Sequence, residues 1–118
     1  MTTKFFNAFN DAGERTAFQI RETHDHQYIV IWYNQEQFRS HNDLLARDYV
    51  ENLMRDNGWH LEDIVTKDDD FWWALTFDMI DENTVVNRVM HWINGQYIQI
   101  GQDETMTRKD AEIQYGYC

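Results

Sequence analysis

Between residues 71 and 80, Phe71, Trp73, Leu75, Phe77 and Met79 recur at every second position. Only an extended strand puts such a set on one face, and a face that apolar must be covered by a second layer. A sheet with something packed on it is therefore the starting constraint. Thr16 to Thr23 repeats the pattern more weakly, with Thr16, Phe18 and Ile20 alternating with Gln19 and Arg21. Tyr28 to Tyr33 is apolar on both faces and reads as an interior strand. His24-Asp25-His26 supplies a polar hairpin connection between them. Trp59 to Thr66 and Phe71 to Ile80 flank a second one, Lys67-Asp68-Asp69-Asp70.

The covering layer is read from the other period. From Ser40, with Asp43 three residues on as a capping box, Leu45/Ala46, Tyr49/Val50 and Leu53/Met54 recur every three to four residues. Asn57-Gly58 stops this helix. Asp43 and Glu51 stand four residues before Arg47 and Arg55, a spacing that suits ion pairs on the exposed side. A second helix is expected over Glu82 to Asn94, with Val85/Val86, Val89/Met90 and Trp92/Ile93 as its stripe and Asn94-Gly95 as its stop. A short one is expected over Thr3 to Ala12, carrying Phe5, Phe6, Phe9 and Ala12 and ended by Gly13. Tyr97 to Ile100 and the alternating Ala111, Ile113, Tyr115, Tyr117 read as further strands.

The expected architecture is α+β: an antiparallel sheet of about five strands with two main helices on one face. Strand-strand-helix occurs twice, beginning at Thr16 and at His60. Tyr28 to Ile100 taken alone gives β-α-β-β-α-β, the ferredoxin-like order, with an N-terminal helix and strand added. With no proline and no Gly/Ser-rich linker, residues 1–118 read as one acidic domain.

Composition limits function more than it defines it. Twenty-one acids against ten bases give a net charge of −11, which excludes ordinary nucleic-acid binding. Aromatics make up 15% of the chain, too many for a disordered acidic tail. There is no apolar run of membrane-spanning length and no apolar leader after Met1, and Cys118 is the only cysteine. The expectation is a cytoplasmic monomer. No cofactor or metal is implied. His24 and His26 lack a third ligand at metal spacing among His41, His60 and His91. The contiguous Asp68-Asp69-Asp70 does not follow a calcium-loop pattern. Ser40, the sole serine, is accounted for as a cap, and the five glycines are scattered. Those features point away from an enzyme.

Charge distribution carries the positive argument. Asp43, Asp48, Glu51, Asp56, Glu62, Asp63, Asp68, Asp69, Asp70, Asp78, Asp81 and Glu82 face only Arg47, Arg55 and Lys67 across the same stretch. Clustered like charges destabilise a compact state, so clustering calls for a use beyond solubility. Same-face strand residues lie about 6.6 Å apart, and neighbours one helical turn apart about 5–6 Å. Acids at those intervals can imitate a phosphate row held by a rigid fold. Asp48, Glu51, Asp56, Glu62, Asp63, Asp68, Asp69 and Asp70 are the expected surrogate phosphates. Trp72 is expected either beneath the N-terminal helix or beside the acids as an apolar anchor.

In size, net charge and its Asp43–Glu82 acidic run, the chain resembles the small acidic DNA-mimic proteins of bacteria and phages. Among these it is most similar to the neisserial kind that occupies the histone-like protein HU. That resemblance implies a basic nucleic-acid-binding protein as partner and no direct contact with nucleic acid. A second resemblance is to the acidic regulators that inhibit ribonuclease E. It rests on the β-α-β-β-α-β order and on Tyr115-Gly116-Tyr117, and it implies a nuclease inhibitor or immunity protein. A small enzyme or ligand binder on a ferredoxin-like sheet, using His60 or His91, is the contrasting possibility.

Overall fold

The computed structural model describes residues 2–68 and 72–115. Its elements are β1 (Thr3–Asn10), β2 (Arg15–Glu22), β3 (Tyr28–Trp32), β4 (Gln35–Ser40), α1 (Asp43–Asp56), β5 (Trp59–Lys67), β6 (Trp72–Asp81), β7 (Thr84–Ile93), β8 (Gln96–Thr107) and α2 (Arg108–Tyr115). All eight strands form one antiparallel sheet in the order β4-β3-β2-β1-β5-β6-β7-β8. Two four-stranded meanders, each followed by a helix, thus meet at the β1–β5 pair. This replaces the expected five-stranded, ferredoxin-like α+β core. It also removes the strand order behind the ribonuclease E likeness and behind a ferredoxin-like ligand face.

Three expected elements change type. The segment expected as a helix over Thr3 to Ala12 is β1, with Phe6 and Ala8 buried on one face and Phe5 and Phe9 on the other. Gly13 (φ +80°) belongs to the β1–β2 hairpin, whose loop is tied by the Asn10 side chain accepting from the backbone N–H groups of Ala12 and Glu14. Glu82 to Asn94 is not a helix either. Its β-branched residues fill β7, and Asn94-Gly95, both at positive φ, makes the hairpin turn into β8. The alternation from Ala111 belongs to α2, which places Ala111 and Tyr115 one turn apart on the sheet. Gly116, Tyr117 and Cys118 lie outside the described residues. β4 was not anticipated; Tyr33-Asn34, again both at positive φ, turns the chain into it.

α1 forms as its periodicity dictates, with two differences at its start. Asn42 is the N-cap, accepting from the Leu44 N–H, while Ser40 accepts from the Asn42 N–H just outside the helix. Arg47 and Arg55 pair with neither Asp43 nor Glu51. They donate to the Gln114 carbonyl and the Asn52 side chain instead.

Both helices lie on one face of the sheet. Ala46, Val50 and Met54 of α1 join Phe6, Phe18, Val30, Leu61 and Ile64 in the core, and α2 closes over Phe77, Val85 and Met106. Phe18 stacks on Trp32 and Phe38 on Tyr49, each with ring centroids 4.8 Å apart. Phe18 is fully buried at the middle of the first meander, so Phe18→Ala removes a ring that this rigid interior cannot refill. The expected cost is about 3–5 kcal/mol in unfolding free energy, read from the denaturant midpoint at unchanged slope.

Candidate functional site

The acids singled out from sequence do not share one surface. Asp48 and Asp56 are exposed on α1 and Glu51 is half-buried between them. Desolvation pushes the Glu51 carboxyl up from its ordinary value, and nearby Arg47 only partly opposes this. Glu62 and Asp63 belong to β5 but point away from the helices. Asp63 sits between Asn7 and Thr76 across the strands, accepts from the Asn7 amide at 2.6 Å, and is half-buried. Burial raises its carboxyl pKa, against the pull of the Asn7 hydrogen bond. Glu62 is paired with Arg15. Asp68 follows β5 at the opposite end of the sheet from α1's C-terminus, and Asp69 and Asp70 lie outside the described residues. Trp72, 42% exposed, is on the helix-free face with the Lys67 ammonium 4.9 Å from its ring centre. No N-terminal helix covers it.

Strand direction brings a different set of acids together. β1 and β6 run parallel to each other and end at one edge of the sheet, where β2, β5 and β7 begin and α1 ends. Three connections follow one another along that edge. They carry Asp11 and Glu14 (β1–β2), Asp56 (α1–β5), and Asp81 and Glu82 (β6–β7). Asp11 accepts from His60 Nε2 at 3.0 Å when that nitrogen carries a proton. Among the described residues, Glu14, Asp56, Asp81 and Glu82 have no ion-pair partner. Of the cations near this edge, Arg15 pairs with Glu62 and Arg55 donates to Asn52. Arg108, whose backbone N–H bonds the Asn83 carbonyl at 2.8 Å, and Lys109 begin α2 beside the β6–β7 turn without an ion pair among the described residues. Hydrogen bonds from the Asn83 N–H and from Thr84 hold the Asp81 carboxyl below its usual range, so it stays ionised. Asp56 adds its charge to the negative end of the α1 dipole, where a carboxylate costs stability. Its position is explained by what it presents to solvent. The only sequence signal for this set was the turn chemistry of Asn10-Asp11-Ala12-Gly13 and Asp81-Glu82-Asn83.

The remaining polar groups are built for structure. His26 (φ +60°) turns the β2–β3 hairpin, and Asp25 there accepts from Thr23. Arg88 on β7 ties Asp78 to Asp103 across three strands. Among the described residues no three His, Cys, Asp or Glu side chains converge as a metal site would require, and no helix is long and apolar enough to cross a membrane. Comparison with protein-family models, curated proteins and solved structures finds no match to the chain.

Asp63 gives a test of this electrostatic reading. Its carboxyl is raised in the folded state, so the folded protein holds a proton that the unfolded chain releases. The stability from this group is complete below the ordinary aspartate pKa and is lost as pH rises through the raised value. Asp63→Asn keeps an acceptor for Asn7 and removes the titration. Denaturant midpoints from about pH 4 to 7 should therefore fall less in the variant than in the parent. Parallel profiles would contradict the assignment.

Proposed function

We propose that this chain is a non-catalytic binding protein whose acidic sheet edge takes the place of duplex DNA in the groove of a basic nucleic-acid-binding protein of the histone-like HU type. The observation that supports this reading is the run of acids along the edge spanned by β2, β1, β5, β6 and β7. Those strands cover about 19 Å at the usual spacing of about 4.8 Å, so Asp11, Glu14, Asp56, Asp81 and Glu82 supply about one charge per 4 Å. A single strand of duplex DNA supplies one per about 3.4 Å. Asp48, exposed two turns back along α1, lies behind this edge. Glu62 and Asp63 are tied to Arg15 and Asn7 and play no part as free phosphates.

Each acid sits on a tight connection between rigid elements, which limits the ordering cost on binding. The partner's lysines and arginines would release condensed anions and meet fixed carboxylates, so affinity should fall steeply with salt. The triple substitution Asp56→Asn, Asp81→Asn, Glu82→Gln should weaken binding to an HU-type protein at least tenfold and flatten the salt dependence, measured by titration calorimetry at two ionic strengths. Asp25→Asn, on the opposite edge, should leave both unchanged. Equal affinity for the parent and the triple variant would overturn the proposal.

A further inference from the structure

On the helix-bearing face, the two helices leave a groove of about 220 Å³ between them. Its floor is Phe6 of β1 and Ile64 of β5, and its walls are Trp73 and Leu75 of β6. Lys4, Arg47, Thr66 and Tyr115 complete the lining. In a chain with about twice as many acids as bases, the described residues of this groove thus include two cations and no carboxylate.

Both cations are half-buried, and neither forms an ion pair among the described residues. Arg47 gives one N–H to the Gln114 carbonyl at 3.2 Å, leaving the rest of its fork to the groove. Lys4 faces the groove from β1 and also lines a smaller neighbouring cavity with Glu22 and Asp43, neither of which forms an ion pair with it. The Tyr115 hydroxyl accepts from the Asn87 and Gln114 amides, which leaves its own proton to donate. A half-desolvated cation that forms no ion pair is costly, and an anion bound here would pair with two at once.

We infer that this groove binds a small carboxylate with an apolar body. Its head group would lie between Lys4, Arg47 and the Tyr115 hydroxyl, and its body against Trp73 and Leu75. At about 30 Å³ per water-sized group, the volume encloses about seven non-hydrogen atoms, a carboxylate and the first carbons of a chain whose end reaches out along the groove. The site is separate from the acidic edge and does not depend on it.

Octanoate is the probe, and octanol its uncharged counterpart. Octanoate titrated into the folded protein should saturate a change in tryptophan fluorescence. It should also shift the backbone amide resonances of Lys4, Thr66, Trp73 and Leu75. Octanol should bind at least tenfold more weakly. Lys4→Gln should weaken octanoate about tenfold and leave octanol unchanged, since it removes a charge-assisted contact from one ligand alone. Arg47→Gln should act in the same direction. Lys4→Gln, whose side chain has no partner to lose, decides the matter should α2 loosen in the arginine variant. Absent saturation, resonance shifts confined to other residues, equal affinity for the two probes, or octanoate binding indifferent to Lys4→Gln would each overturn the assignment.

Discussion

Everything in this fold hangs on the pairing of β1 with β5. Each meander is built from local hairpins, and this pair alone joins the two halves of the sheet, across sequence separations of 49 to 64 residues. Its register puts Phe6 opposite Ile64 and Ala8 opposite Leu61, giving α1 a continuous apolar floor. The register shifts between Asn7 and Ala8, so β5 spends an extra residue there. That bulge lets Leu61 and Ile64 both face the helices although they are three residues apart. It also sends Glu62 and Asp63 to the other face, where Arg15 and Asn7 receive them.

The same pairing explains where charge collects. Four acids within the sheet are held by a partner: Asp63 by Asn7, Glu62 by Arg15, and Asp78 and Asp103 by Arg88. Glu14, Asp56, Asp81 and Glu82, which form no ion pair among the described residues, stand at chain reversals, where water screens them from the apolar layer. Because β1 and β5 are antiparallel neighbours, the reversals after β1, before β5 and after β6 fall side by side on one edge. A charge that is scattered in sequence becomes a row in space. The groove between the helices is the converse case, with two cations set into apolar walls and no acid among its described lining residues.

How much of this was legible in the sequence depended on whether a segment's pattern was compatible with one period only. α1 was clear because Leu45/Ala46, Tyr49/Val50 and Leu53/Met54 are spaced by a helical turn and carried by good helix formers. β2, β3, β5 and β6 were clear from alternation or continuous apolar runs. β7 was not, because the doublets Val85/Val86, Val89/Met90 and Trp92/Ile93 fit a helical stripe as well as a strand that is apolar on both faces. Its valines and Trp92 favoured the strand, and Asn94-Gly95 is a hairpin signal where Asn57-Gly58 is a helix stop. In β1, Phe5, Phe6 and Phe9 obeyed helical spacing over too few residues to decide. The acidic excess was plain in the composition. Its division between two faces and an edge was hidden, because it follows from a bulge and from strand directions that no charge count contains.

The central claim is that a carboxylate-bearing edge substitutes for duplex DNA, and competition tests it most directly. A labelled duplex bound to an HU-type protein at low salt would be titrated with this chain while fluorescence anisotropy follows the duplex. The account predicts full release of the duplex, with a midpoint that rises as salt is added. A duplex that stays bound while the chain is in large excess would contradict it.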